Sequence, residues 1–304
     1  MGAIWNSDQC PPTGPRADRA PYGRYACASP RLARRILLRG GLLAGFALAA
    51  GPLAASTITT PERGLEAGWV SIPAAAGPLR AYRARPTGAV KLATVLVVQE
   101  IFGVHAHIQD VCRRLARLGY LAIAPSLFDR QGDVSRLPDI PSILPVVARV
   151  PDAQVMADLD ATAAWAAASG EGDPARLGIT GFCWGGRITW LYAAHNPRLR
   201  AGVAWYGRLV GTTSELQPTE VIALADRLRA PVLGLYGGQD DGIPLESVER
   251  MRRALEAARS PSRIEVFPDA PHGFHADYRP TYRAREAAAG WKRMRAWFRA
   301  HGVA

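Results

Sequence analysis

Cysteine is scarce in this chain: four among 304 residues, at positions 10, 27, 112 and 183, with no CxxC pair. That count and spacing make no disulfide framework, and a thiol redox role would lack a resolving cysteine close in sequence. At most one bridge, Cys112 to Cys183, could form after the first two cysteines are set aside with the leader described below. Blocks of positive charge are also lacking, although the formal net charge is +11. The first 56 residues hold seven arginines against Asp8 and Asp18, a net +5, so the other 248 carry +6 dispersed among acidic residues. A nucleic-acid partner needs a concentrated basic face, and none is present. No apolar run reaches the roughly 20 residues that cross a bilayer comfortably. No internal repeat and no linker divides the chain beyond the leader.

What is there is a chain 48% apolar, with a mean hydropathy of −0.03. It has room for one large α/β domain, and too little for two domains plus a leader. Residues 1–30 are rich in Pro, Gly, Ala and Arg without amphipathic period, which reads as disorder. Ala33-Arg34-Arg35-Ile36-Leu37-Leu38-Arg39 then precedes a short apolar run over 40–55. A basic stretch, a short apolar core and small residues make a signal peptide, and the arginine pair resembles a twin-arginine export signal. Ala33 stands where Ser or Thr is usual, and Arg39 where Lys is common. The expectation is a leader over 1–56 engaging the twin-arginine translocation machinery, cut after Ala55 or Ser56, and a periplasmic domain over 57–304. The alternative is an uncleaved leader that anchors the domain to the membrane.

Strands and helices alternate along that domain. Strands are predicted over 69–72, 79–83, 92–98, 121–124, 176–180, 201–206, 231–236 and 263–267, and helices over 108–118, 153–168, 185–194 and 281–299. Residues 92–98 (LATVLVV) form a continuous apolar run, as in a strand buried on both faces. Residues 129–151 read as a long surface excursion with one short helical piece. The alternation implies an α/β fold, a mostly parallel central sheet with helices on both faces, whose site lies at the carboxyl ends of the strands.

The chemistry-bearing pattern is Gly181-Phe182-Cys183-Trp184-Gly185-Gly186, between a predicted strand and a predicted helix. It is the G-x-S-x-G elbow with cysteine in the serine position. A nucleophile on so tight a turn needs small neighbours, and the following helix directs its positive end at the sulfur, which favours thiolate. Such a nucleophile needs a histidine and an orienting carboxylate, in the chain order nucleophile, acid, histidine. Asp240 follows a predicted strand, with Asp241 as the alternative; His272, between Pro271 and Gly273, fits the base, with His275 as the alternative.

Taken with Gln99-Glu100-Ile101-Phe102-Gly103, Gly237-Gly238-Gln239-Asp240 and His272-Gly273-Phe274, the elbow resembles the dienelactone hydrolase family over about 65–300. The resemblance implies an α/β-hydrolase fold and a triad of Cys183, Asp240 and His272. It implies that Glu100 pairs with the cysteine and helps form the thiolate when substrate binds. It also implies an oxyanion hole from the backbone N–H groups of Ile101 and Trp184, and a reaction that opens a lactone or small ester through a cysteine acyl-enzyme, with no cofactor or metal. The family holds the substrate carboxylate with arginines, one of them four residues after the histidine, where this chain has Ala276. Arg130, Arg136 or Arg149 could substitute, and Phe102, Tyr206 and Arg149 are the expected pocket residues. The rival readings are a general carboxylesterase, or a non-catalytic exported binding protein on the same scaffold. His105-Ala106-His107 has awkward geometry for shared metal ligation, and Cys112 lies on the apolar face of its predicted helix.

Overall fold

The run Leu92–Val98 forms the strand its composition predicts, β3, and the last four of its residues are completely buried. It lies inside an eight-stranded sheet whose other members are β1 (Leu65–Ile72), β2 (Leu79–Pro86), β4 (Leu121–Pro125), β5 (Gly172–Phe182), β6 (Leu199–Trp205), β7 (Val232–Gln239) and β8 (Arg263–Pro271). The spatial order is β1-β2-β4-β3-β5-β6-β7-β8, with β1–β2 and β2–β4 antiparallel and every other pair parallel. This computed structural model describes residues 58–304. The expected leader lies outside the described residues. Among them no helix is long and apolar enough to cross a membrane.

The chain leaves β3 toward β4, then passes back over β3 to β5 and continues outward to β8. Right-handed crossovers therefore lay helices on opposite faces of the sheet, and the order reverses between β3 and β5. Helix α1 (Ala106–Arg117) follows β3. Its inward face carries Ile108, Val111, Cys112 and Leu115, and Gly119 (φ 90°) ends it in the left-handed region that favours glycine. Helices α3 (Asp152–Ala168) and α4 (Trp184–His195) flank β5, and α6 (Ala284–Ala300) lies over the strands that carry Trp205 and Leu235, with Gly290 against the Trp205 ring.

The short helical piece expected in the 129–151 excursion is present but packs inward, and one further helix was not predicted. The 129–151 excursion holds a 3-10 turn (Val134–Arg136) and α2 (Ile140–Ala148), which starts on an Asp139 cap bonded to Ser142 N–H and buries Ile143, Val146 and Val147. Helix α5 (Leu245–Ala257) has no counterpart among the predicted helices, although Val248, Met251 and Leu255 make a buried stripe at helical spacing. Its charged composition masks that narrow stripe.

Candidate active site

The carboxyl ends of β3, β5, β6, β7 and β8 converge at the reversal, and each delivers one group. From β5 the chain turns into α4 at Cys183, whose φ of 55° and ψ of −112° place a side chain where L-residues are strained. The glycines around it are required by close approach. A Cβ on Gly181 would fall 2.1 Å from the Gly185 carbonyl oxygen, one on Gly185 2.4 Å from that of Val98, and one on Gly186 2.5 Å from that of Trp205. The elbow is thus wedged between β3 and β6, which fixes the sulfur relative to both. Cys183 is buried yet reaches the cavity described below.

His272 arrives at the end of β8. Its Nδ1–H donates to Asp240 Oδ2 at 2.7 Å, and the Cys183 sulfur acts on the same ring. Asp240 is itself oriented, because its Oδ1 accepts the N–H groups of Gly242 (2.9 Å) and Ile243 (3.1 Å). Burial opposes charge on the imidazole, but the negative charges of Cys183 and Asp240 outweigh it and push the ring up to about 10. Both alternatives weighed from sequence are placed elsewhere: Asp241 is exposed, and His275 is packed among Trp205, Phe182 and Trp291, where burial pushes its pKa well down.

Glu100 ends β3 and is completely buried. Its Oε2 accepts from the Tyr278 hydroxyl at 2.5 Å and lies 3.7 Å from His105 Nε2. Burial alone would push the carboxyl up. The His105 hydrogen bond and the Arg279 charge overcome it and hold Glu100 at about 2. Burial in turn lowers the His105 pKa, against the pull of Glu100. Behind this pair His107 Nδ1 bonds Asp277, which pairs with Arg114 on α1. Tyr278 and Arg279 are site residues that sequence reasoning missed. The Tyr-Arg pair six and seven residues after His272 was the available signal.

A cavity of about 380 Å³ opens over the cysteine, with Cys183, Trp184, Ile101, Tyr206 and His272 at its base. The N–H of Trp184, in the first turn of α4, has no intrahelical acceptor by position. The upper walls are apolar, from Leu144 and Val147 of α2 and Leu209, Val221 and Ile243. Two segments are stitched together to make that roof. Gln217 donates to the carbonyls of Val147 (3.0 Å) and Val150 (3.2 Å), and Arg187 holds Asp152 through two bonds of 2.7 and 2.8 Å and the Thr219 carbonyl at 2.9 Å.

Two expected pocket residues are corrected. Phe102 turns away from the cavity to pack against His105, Tyr278 and the Arg279 guanidinium. Arg149 is exposed beyond the end of α2, where it bonds the Gln131 carbonyl. Arg130 is bound to Asp158, and Arg136 is largely exposed beside Asp133. The arginines on the cavity wall are Arg187 and Arg208, the latter lying across Gly211.

Comparison with known proteins agrees with this geometry. The sequence profile of the dienelactone hydrolase family matches residues 79–302. A Methylorubrum extorquens protein named "Putative carboxymethylenebutenolidase" is 58% identical over 283 residues, covering 92% of this chain and 97% of that protein. An Escherichia coli protein of the same name is 57% identical over 260 residues, covering 85% and 96%. The crystal structure of a Klebsiella pneumoniae protein titled a "Putative Dienelactone Hydrolase" superposes with a TM-score of 0.76 at 57% identity, covering 77% of this chain and 98% of that one.

Proposed function

This chain belongs to the dienelactone hydrolase family, and from that premise we propose that it hydrolyses a lactone or small carboxylic ester through a thioester on Cys183. The observation that carries the reading is one row of groups: a strained, cavity-facing Cys183, His272 on the same cavity with its charge acting between them, and a doubly anchored Asp240 bonded to His272. In acylation the sulfur, as thiolate, attacks the carbonyl carbon. The developing oxyanion takes hydrogen bonds from the N–H groups of Ile101 and Trp184, and the imidazolium proton of His272 passes to the leaving alkoxide. Water then attacks the thioester and returns a proton to His272, the C–S bond breaks, and the acid leaves. Asp240 keeps the ring in register and stabilises its charged form. Glu100, buried outside the cavity lining and held by Tyr278, contributes a negative charge whose effect reaches Tyr206.

The apolar roof favours an ester whose body is hydrocarbon, and this supports a broader carboxylesterase activity as the second reading. Arg208, on the cavity wall, takes the place that the sequence reading gave to Arg149. By its Arg34-Arg35 leader the enzyme is proposed to work in the periplasm.

The test is hydrolysis of p-nitrophenyl acetate and of small lactones by the parent and Cys183→Ala. A fall in kcat on the order of 10³-fold or more is expected, with the thermal midpoint retained. Cys183→Ser is expected to keep weak activity. Hydrolysis by the alanine variant at the parent rate would remove the covalent mechanism.

A further inference from the structure

Tyr206 follows β6 immediately, and three features of it have no use in the steps above. Its backbone sits at φ 37°, a left-handed conformation unusual for an aromatic residue. Its neighbours force this. Tyr206 N–H donates to the Leu235 carbonyl at 2.8 Å and Cys183 N–H donates to that of Trp205 at 3.0 Å. A Cβ on Gly207 would fall 2.3 Å from the Gly186 carbonyl carbon. The elbow therefore aims Tyr206 as firmly as it aims Cys183. Second, the ring is completely buried, meets the His272 ring edge-on at 5.1 Å between centroids, and shares the cavity base with Cys183 and His272. Third, its hydroxyl has no hydrogen-bond partner among the described residues, and neither has the fully buried Oε1 of Glu100.

A buried polar atom without a partner costs about 1–3 kcal/mol, and such atoms in native proteins are rare enough to need a reason. Here one is the Tyr206 hydroxyl, on the cavity that holds Cys183, and another is Oε1 of Glu100, whose charge acts on that phenol. Burial above all, with the charges of Glu100 and Cys183 behind it, pushes the phenol's pKa well above the usual range. The phenol is therefore a neutral O–H that can both donate and accept, beside a carboxylate oxygen that can only accept. Together they suit a small molecule with two donor hydrogens and two lone pairs. Deacylation requires one such molecule near His272.

We propose that Tyr206 is a catalytic residue of the second half-reaction: its hydroxyl and Oε1 of Glu100 hold the water that His272 directs at the Cys183 thioester. The inference rests on the acyl-thioester reading above. In the step, the water oxygen forms a bond to the thioester carbon as one of its protons passes to neutral His272. The tetrahedral intermediate then collapses with cleavage of the C–S bond. Sulfur leaves as thiolate beside imidazolium, and the carboxylic acid gives its proton to solvent. Acylation uses no water, so it does not depend on Tyr206.

Tyr206→Phe in the full chain tests this, because it keeps the ring and its packing and removes only the hydroxyl. With a p-nitrophenyl ester, the burst of p-nitrophenol keeps the parent rate while steady-state turnover falls about 10- to 100-fold. Slow deacylation lowers kcat and KM together and leaves kcat/KM unchanged, and the acyl adduct on Cys183 accumulates in the intact-protein mass spectrum. The thermal midpoint holds or rises, since the hydroxyl lost had no partner. A variant that turns over at the parent rate overturns the proposal, as does one whose burst slows by the same factor as its turnover. A variant that unfolds or loses several degrees shows the hydroxyl to be structural, which also overturns it. Hydrolysis that survives Cys183→Ala removes the thioester and this proposal with it. Cys183-dependent hydrolysis indifferent to Tyr206→Phe removes Tyr206 alone.

Discussion

His272 shows how single residues set the properties of this site. Its ring is buried, which by itself would lower its pKa, yet the charges of Cys183 and Asp240 carry it up to about 10. The folded state therefore prefers the charged ring more than an unfolded chain does. The resulting stabilisation is complete below the ordinary histidine pKa of about 6.5 and is lost as pH rises through about 10. In Cys183→Ala one of the two charges is gone while burial remains, so the ring's NMR titration midpoint is expected to fall well below 10. The thermal midpoint of the parent is expected to drop more between pH 7 and pH 10.5 than that of the variant. An unchanged histidine midpoint in Cys183→Ala would show that the sulfur does not act on the ring. The residues of this row were legible because each stands in a local pattern: a Gly-flanked cysteine, an Asp just past a strand, a histidine between Pro and Gly. The partners of Glu100 were not. Tyr278 lies 178 positions away, and only the folded sheet brings its hydroxyl to that carboxylate.

At the scale of elements, the sequence was informative where burial is all-round or periodic. Strand β3 has the bounds that its apolar run predicts, and β4 and α3 differ from their predicted ranges by one residue at an end. Strand β5 runs well past its predicted start because Gly172 and Asp173 pair with β3 across an irregularity in register that no local pattern announces. The same sheet turns glycines into structural requirements. Gly186→Ala forces a Cβ to within 2.5 Å of the Trp205 carbonyl oxygen, so α4 must move away from β6. Overpacking of this kind costs about 1–3 kcal/mol, which for a domain of this size lowers the thermal midpoint by roughly 2–12 °C. Activity is expected to fall further than stability, because the shift moves Cys183 relative to His272. Gly68→Ala is the control: no atom lies within 4 Å of its Cβ, and both thermal midpoint and turnover are expected to match the parent. Equal midpoints for Gly186→Ala and Gly68→Ala in differential scanning calorimetry would show that the elbow is not wedged as described.

For the whole molecule, the export reading proposed above makes a prediction about where the folded domain begins. The first residues of the domain are held against α1. Thr60 N–H donates to the buried Asp110 at 2.5 Å, Arg113 donates to the Thr60 carbonyl at 3.2 Å, and Arg117 donates to that of Pro61 at 2.7 Å. These bonds involve backbone groups that a cut further along the chain would remove. Asp110 is completely buried and also bonds Arg113 and Arg114, so stripping Thr60 from it would leave α1 with a weakened anchor. Cleavage after Ala55 or Ser56 falls a few residues short of that point and preserves every one of these contacts, whereas cleavage beyond Thr60 would not. The composition of the leader matches such a cut, with small residues at Ala54, Ala55 and Ser56 behind a short apolar run. The periplasmic fraction of cells producing the parent is therefore expected to contain a protein whose first residue, by N-terminal sequencing, is Ser56 or Thr57. If Arg34-Arg35 is the address, changing both to lysine preserves charge but not the address, and the protein is expected in the cytoplasm at its full unprocessed mass. Periplasmic delivery of the lysine pair at the parent level would show that the arginines are not read as an export signal. A mature N-terminus beyond Thr60 would show that the α1 anchor is dispensable in the working enzyme.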